Sequence, residues 1–166
     1  MNASEFRKLP RWKQRVLIAK DVLKRLSTKQ FKPHPGIWVH AWMDDGKTMD
    51  LQKLVNAGQQ CEVCALGGIM ASYASKLNSI QLAPSIRDKG KYVADFGAHD
   101  AKLSRVFGKT QLELIESVFE DEEGIFIIPD SKYDAAEDFI DKYPMPEQRF
   151  KAIFQNIVKN SGTFNP

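Results

Sequence analysis

The chain has 166 residues, of which 43% are hydrophobic and 27% charged, a composition typical of a globular protein and not of a disordered or fibrous one. Its longest apolar runs are far too short to cross the ~30 Å hydrocarbon layer of a membrane, and residues 1–8 lack the apolar stretch of a secretory signal, so we expect a cytoplasmic protein with no membrane partner. The net charge of +3 is modest, and two cysteines exclude a disulfide framework.

Positive charge is concentrated near the N-terminus. Residues 1–32 contain ten Lys or Arg and two acidic residues, whereas residues 113–141 contain eleven acidic residues and Lys132 as the single cation. Such segregation suits a polyanionic partner, but the two regions can also neutralise each other within the fold. The sequence leaves both interpretations open.

The first strong helical pattern covers residues 10–26. Its apolar residues alternate in steps of four and three, which predicts one buried stripe: Trp12, Val16, Ala19, Leu23 and Leu26. The cations of this helix are candidate contacts to a nucleic acid or a protein partner: Arg11, Lys13, Arg15, Lys20, Lys24 and Arg25. Because the stripe turns Trp12 towards the core, no stacking aromatic is expected beside these cations. The pattern therefore favours the interpretation that they form an ordinary solvated helix face.

The central part of the chain predicts a short strand at residues 37–43, a short helix at 49–55 and a buried helix at 64–77. The last of these has two apolar sides. One is a ridge of large residues, Leu66, Met70, Tyr73 and Leu77. The other is a strip of small residues, Gly67, Ala71 and Ala74, which lets another backbone come close. We expect this helix to be the centre of the core.

The remaining segments predict loop at residues 78–100 and then three helices. Thr110 and Glu113 have the spacing of a capping box. A second helix begins at Ser131 and stops before Pro144, and a third begins near Pro146 and ends at Gly162. The expected fold is a mainly α, compact single domain, residues 1–166, of about six helices around the central helix, with a small β element.

The Cys61-x-x-Cys64 pair supports three chemical hypotheses. Zinc binding needs four ligands, which His34 and His40 would complete, although the spacing matches no standard zinc finger. A redox pair normally lies in a strand-helix-strand unit, which the surrounding pattern does not show. A Cys64 nucleophile would use His99 as its base, with Asp95 or Asp100 as the orienting acid. A packing role for Cys64 competes with all three, and no cofactor is predicted.

Residues 61–72 (CEVCALGGIMAS) and 149–164 (RFKAIFQNIVKNSGTF) resemble small uncharacterised proteins of bacteriophages and bacteria. In those proteins a Cys-Ala-Leu-Gly helix follows a Trp-containing stretch and a basic first helix. Gly68 stands where alanine would be expected. The resemblance transfers no catalytic residue, but it implies a phage or mobile-element context, in which small accessory proteins bind and block host proteins.

We therefore expect a non-catalytic binding protein, a phage-encoded modulator or inhibitor of a host protein or defence system. Its partner would be a host or cellular protein. One alternative is a nucleic-acid-binding protein that uses the basic N-terminal helix. The other is a cysteine-dependent enzyme centred on Cys64 and His99.

Overall fold

A computed structural model describes residues 2–42, 49–77, 81–84, 91–93, 100–121 and 130–166. Within these residues the chain forms eight helices: α1 (Ala3–Lys8), α2 (Arg11–Ser27), α3 (Leu51–Asn56), α4 (Ala65–Leu77), α5 (Asp100–Phe107), α6 (Lys109–Glu120), α7 (Asp130–Lys142) and α8 (Pro146–Lys159). The prediction of a mainly helical fold with a small β element is confirmed. The helices that the sequence pattern did not single out are α1 and α5, which are six and eight residues long. None of the described helices is both long and apolar enough to span a bilayer.

The β element is larger than predicted. In the described part of the chain it has six short strands, β1 (Phe31–Pro33), β2 (Val39–Trp42), β3 (Met49–Asp50), β4 (Cys61–Val63), β5 (Gln81–Pro84) and β6 (Lys91–Val93), in the order β1-β4-β2-β6-β5-β3. The β1–β4 pair is parallel and the other pairs are antiparallel. The predicted strand at residues 37–43 is confirmed by β2. The prediction of loop at residues 78–100 is wrong at β5 and β6, because strands of three or four residues are too short to show a period.

The sheet has one buried face against the helices. Its side chains are almost completely inaccessible: Phe31, Val39, Ala41, Cys61 and Val63. Because side chains alternate along a strand, Glu62 lies on the opposite face. There it is in register with Lys32 on β1 and His40 on β2.

The helix α4 lies at the centre of the core, as predicted. It packs against α1, α2, α3 and α6 and against β2 and β4. The predicted close approach of a backbone is found at Gly67, where an added Cβ would be 1.4 Å from the carbonyl oxygen of Trp38. The chain just before β2 therefore lies directly on α4, and only glycine fits at this contact.

The buried side of α2 differs from the prediction. Gln14, Ile18 and Val22, spaced four residues apart, are buried together with Ala19, whereas Trp12 is 46% exposed. The prediction that Trp12 belongs to the core is wrong. Two apolar stripes lie side by side on this helix, which packs against α8, α4, α5 and β1, and the stripe that contains Ile18 is the more deeply buried of the two.

The helix α6 does not begin with the predicted capping box. Its N-cap is Gly108, at a φ of +79°, and no side chain makes a cap hydrogen bond. Thr110 is exposed one residue inside the helix, and Glu113 approaches Lys109 instead, at 3.6 Å. A glycine at positive φ starts the helix two residues earlier than the Thr–Glu spacing implied.

The helix α8 follows the predicted boundaries and buries Phe150, Ile153, Phe154 and Ile157. It also buries Arg149, which the periodicity did not place inside. The Nε of Arg149 donates to the carbonyl oxygen of Phe119 at 3.1 Å, near the C-terminal end of α6. This end of a helix carries partial negative charge, so the guanidinium stabilises it.

Candidate binding surface

The two thiols lie inside the core. Cys61 is 1% and Cys64 2% exposed. The sulfur of Cys64 accepts a hydrogen bond from the backbone N–H of Gly67 at 3.3 Å, in the first turn of α4. Burial raises the pKa of each thiol to about 12. Because the thiolate is the reactive form, both groups are in a state suited to packing and not to attack on a substrate.

The four predicted zinc ligands do not converge. Since His40 pairs with Glu62 across β2 and β4, its side chain is on the opposite face of the sheet from Cys61. His34 is exposed, and its Nδ1 is 2.7 Å from the carbonyl oxygen of Pro35. In the described part of the chain, no group of three or more His, Cys, Asp or Glu side chains is arranged to hold a metal ion.

The face of the sheet that carries His40 also carries the ion pair between Lys32 and Glu62. The carboxylate of Glu62 accepts a hydrogen bond from Lys32 at 3.0 Å. This bond, with the electrostatic influence of the nearby Lys32, His34 and His40 side chains, holds the pKa of Glu62 below its usual range.

The partners proposed for a Cys64 nucleophile, His99 and Asp95, lie outside the described residues. Asp100 is the first residue of α5, and its side chain is likewise outside the description.

Two of the six candidate binding cations on α2 are engaged within the fold. Arg25 forms an ion pair with Asp21 at 2.7 Å and donates to the carbonyl oxygen of Val55 at 2.9 Å. Arg15 is partly buried, and its Nη1 is 3.5 Å from the carbonyl oxygen of Phe107. Desolvation, with the nearby charge of Arg11, lowers the pKa of Arg15. These two arginines hold α2 to its neighbours.

The other four cations, Arg11, Lys13, Lys20 and Lys24, are exposed. No ion pair joins any of these four to another residue within the described ranges. Lys13, Lys20 and Lys24 follow one another at intervals of seven and four residues, so they lie on one side of the helix. The outer side of α2 is therefore a row of three lysines.

A second row of lysines is contributed by α8, which lies antiparallel to α2. The first turns of α8 lie beside the C-terminal end of α2. Gly162, which follows α8, lies beside the start of α2, where an added Cβ would be 2.6 Å from the main-chain oxygen of Trp12. Between the helices is a groove of about 630 Å³, lined by Leu23, Leu26, Ser27, Met145, Glu147, Gln148, Lys151 and Gln155. Lys159, four residues beyond Gln155, continues the same exposed side.

Trp12 lies in line with this groove. It precedes Leu23 by eleven residues, about three turns, so both share the side of α2 that faces α8. Its indole is 46% exposed, and the Nζ of Lys13 lies 5.3 Å from the ring centroid. We call the surface formed by Trp12, Lys13, Lys20 and Lys24 of α2 with Lys151 and Lys159 of α8 the basic groove. Of these six residues Lys151 lines the 630 Å³ groove itself, together with Glu147.

The contribution of α8 to this surface was not predicted from the sequence. The signal was present, because Gln148, Lys151, Gln155 and Lys159 follow the helical spacing of three and four residues. What the sequence did not contain was the packing of this polar stripe beside α2. The exposure of Trp12 was missed because its spacing also fits a buried stripe.

Comparison of the chain with protein-family models, with curated proteins and with solved structures finds no match. The resemblance to small bacteriophage and bacterial proteins therefore stays a prediction.

Proposed function

We propose that this protein is a non-catalytic nucleic-acid-binding protein that acts through the basic groove. The proposal rests on the exposed indole of Trp12, which lies beside Lys13 on the side of α2 that faces α8, together with the exposed lysines of both helices. Lysine rows attract phosphates and release their counterions, and an exposed aromatic ring offers a stacking surface for a base. The sequence pattern had argued against this function by placing Trp12 in the core.

The state of the thiols supports a non-catalytic role. A cysteine-dependent enzyme needs a thiolate accessible to its substrate, whereas burial raises the pKa of Cys64 to about 12. The hydrogen bond from Gly67 gives that sulfur a role in the first turn of α4. The alternative of an enzyme centred on Cys64 and His99 therefore has less support than binding.

A host-protein partner is the second candidate. An acidic protein surface would be attracted by the same lysines, so modulation of a host protein, a phage origin and a cytoplasmic location all stay predictions. The two partners differ in their response to competitors. Excess unlabelled oligonucleotide should completely block binding at a nucleic-acid site. It should block a protein partner less completely, because that partner is recognised by its shape as well as its charge.

The experiment is a fluorescence-anisotropy titration of a labelled twelve-nucleotide single strand with the full chain at several salt concentrations. Five lysines that each contact one phosphate predict a slope of log affinity against log salt of about −3.5, from ~0.7 per phosphate for single strands. Raising the salt from about 50 to about 200 mM should therefore weaken binding on the order of 100-fold.

Matched variants locate the site. Lys20→Gln with Lys24→Gln should reduce the slope to about −2, because two phosphate contacts are lost. The control removes the same charge elsewhere, by Lys53→Gln with Lys109→Gln on α3 and α6, where both lysines are exposed. The proposal would be refuted if the two double variants reduced the slope equally, or if the wild type did not bind the oligonucleotide at low salt. Binding of polyglutamate as tight as that of the oligonucleotide would favour the acidic-protein partner instead.

A further inference from the structure

Resting on the proposed function, we infer that the ligand is single-stranded and that Trp12 is the platform on which one of its bases stacks. Neither the charge of the basic groove nor its lysines distinguish a single strand from a duplex. The distinction comes from the position of the indole relative to the two lysine rows.

The two rows define a path for a nucleic-acid backbone. Lys13 and Lys24 are eleven residues apart, which corresponds to about 16 Å along α2 at 1.5 Å per residue. Lys151 and Lys159 extend over about 12 Å along α8 by the same rise. At ~3.4 Å per stacked nucleotide, this length matches about five nucleotides, within the range of sites that bind single strands.

The 630 Å³ groove, where α2 ends and α8 begins, is partly apolar, and Glu147 and Lys151 are the charged residues of its lining. Leu23, Leu26 and Met145 line the groove, and Met145 is 59% exposed. Apolar surface in a charged groove suits the faces of unpaired bases. A duplex presents phosphates and sugars to such a floor, since its bases remain stacked inside the helix.

Trp12 lies about 16 Å along α2 from Leu23, at the end of the helix pair where α2 begins and α8 ends. Lys13, next to it, is exposed, and its ammonium is over the ring. Because the lysine stem is flexible, this ammonium can move from the ring to a phosphate when a base takes its place. The base then stacks on the indole while the adjacent phosphate is neutralised by the same lysine.

The indole can be changed without disturbing the fold. Gly162 contacts the main-chain oxygen of Trp12, which Trp12→Ala and Trp12→Phe both retain. The half-exposed ring itself contributes little to the core. Thermal unfolding of each variant, compared with the wild type, checks that the fold is preserved.

The test compares two ligands of equal phosphate count, an oligothymidylate and an abasic deoxyribose-phosphate strand. Stacking contributes about 1–3 kcal/mol per base, so Trp12→Ala should weaken oligothymidylate binding about 5- to 150-fold. Trp12→Phe should retain most of the affinity. Neither variant should change binding of the abasic strand, and a duplex should bind the wild type more weakly than a single strand of the same sequence.

The outcomes separate this inference from the proposed function. Salt-dependent oligonucleotide binding that is unaffected by Trp12→Ala would overturn the inference and leave the proposed function standing. Equal binding of abasic and base-containing strands, or tighter binding of the duplex, would also overturn it. Loss of salt-dependent binding for every nucleic acid would overturn both.

Discussion

Replacement of Gly67 by alanine tests the contact on which the centre of the fold depends. The new Cβ would lie 1.4 Å from the carbonyl oxygen of Trp38, so that oxygen must move about 2 Å to reach an ordinary contact of 3.4 Å. The shift would pull on the neighbouring hydrogen bond from the N–H of Cys64 to the carbonyl oxygen of Ile37. No rotamer change relieves the clash, because a Cβ position is fixed by the backbone.

The expected cost combines three contributions. Overpacking costs about 1–3 kcal/mol, and a buried amide left without its partner costs another ~1–3 kcal/mol. The higher helix propensity of alanine offsets about 1 kcal/mol of this destabilisation. Gly67→Ala should therefore lower the free energy of unfolding by about 3 kcal/mol and Tm by about 6–12 °C.

Gly68→Ala is the matched control in the same helix. Its Cβ would meet the end of the Phe150 ring at 3.0 Å, a side-chain contact that a shift of a few tenths of an ångström relieves. Its stability should remain within about 1 kcal/mol of the wild type, since the propensity gain offsets this strain. Urea unfolding followed by circular dichroism measures both variants. If Gly67→Ala is as stable as Gly68→Ala, the close packing of α4 on the chain before β2 is wrong.

Further predictions concern the thiols and Arg149. Because burial raises the pKa of Cys61 and Cys64 to about 12, their contribution to stability is complete below about pH 8 and falls as the pH rises, by up to ~1.4 kcal/mol per unit for each thiol. Urea unfolding between pH 8 and 10 should show this fall, and alanine at both positions should reduce its slope; an unchanged slope would contradict the burial. Arg149→Met should cost about 2–4 kcal/mol because it leaves the Phe119 carbonyl unsatisfied. Asp121→Asn should cost less than about 1 kcal/mol, since that carboxylate is half exposed, and equal losses in the two variants would show that the ion pair is the important contact.

Periodicity predicted the long elements of the fold well. The helices α2, α4 and α8 begin and end within a residue or two of the predicted positions, because each has an apolar pattern longer than three turns and a recognisable terminus. The small residues of α4 also predicted the close backbone contact at Gly67. The strands β5 and β6 were missed because each is too short to show a period and each also pairs with a strand distant in the sequence, β5 with β3 and β6 with β2.

The candidate site was harder to predict than the fold. The lysines of α2 were identified from charge alone, but charge does not distinguish Arg25, which is tied to Asp21 and Val55, from the exposed Lys24. The orientation of Trp12 depends on which of two adjacent stripes the rest of the protein covers. The role of Lys151 depends on the packing of α8 against α2, which no local pattern contains.

Nuclear magnetic resonance of the isotopically labelled chain, titrated with a short oligothymidylate at low salt, shows directly whether a single strand binds at Trp12 and the lysines of α2 and α8. The chain has a mass of 18.9 kDa, so its backbone amides can be followed individually. We expect shifts of the Trp12 indole N–H and of backbone amides on the exposed sides of α2 and α8. Shifts confined to the sheet face around Glu62 and His40, or no shifts at all, would show that the oligonucleotide does not bind at the basic groove.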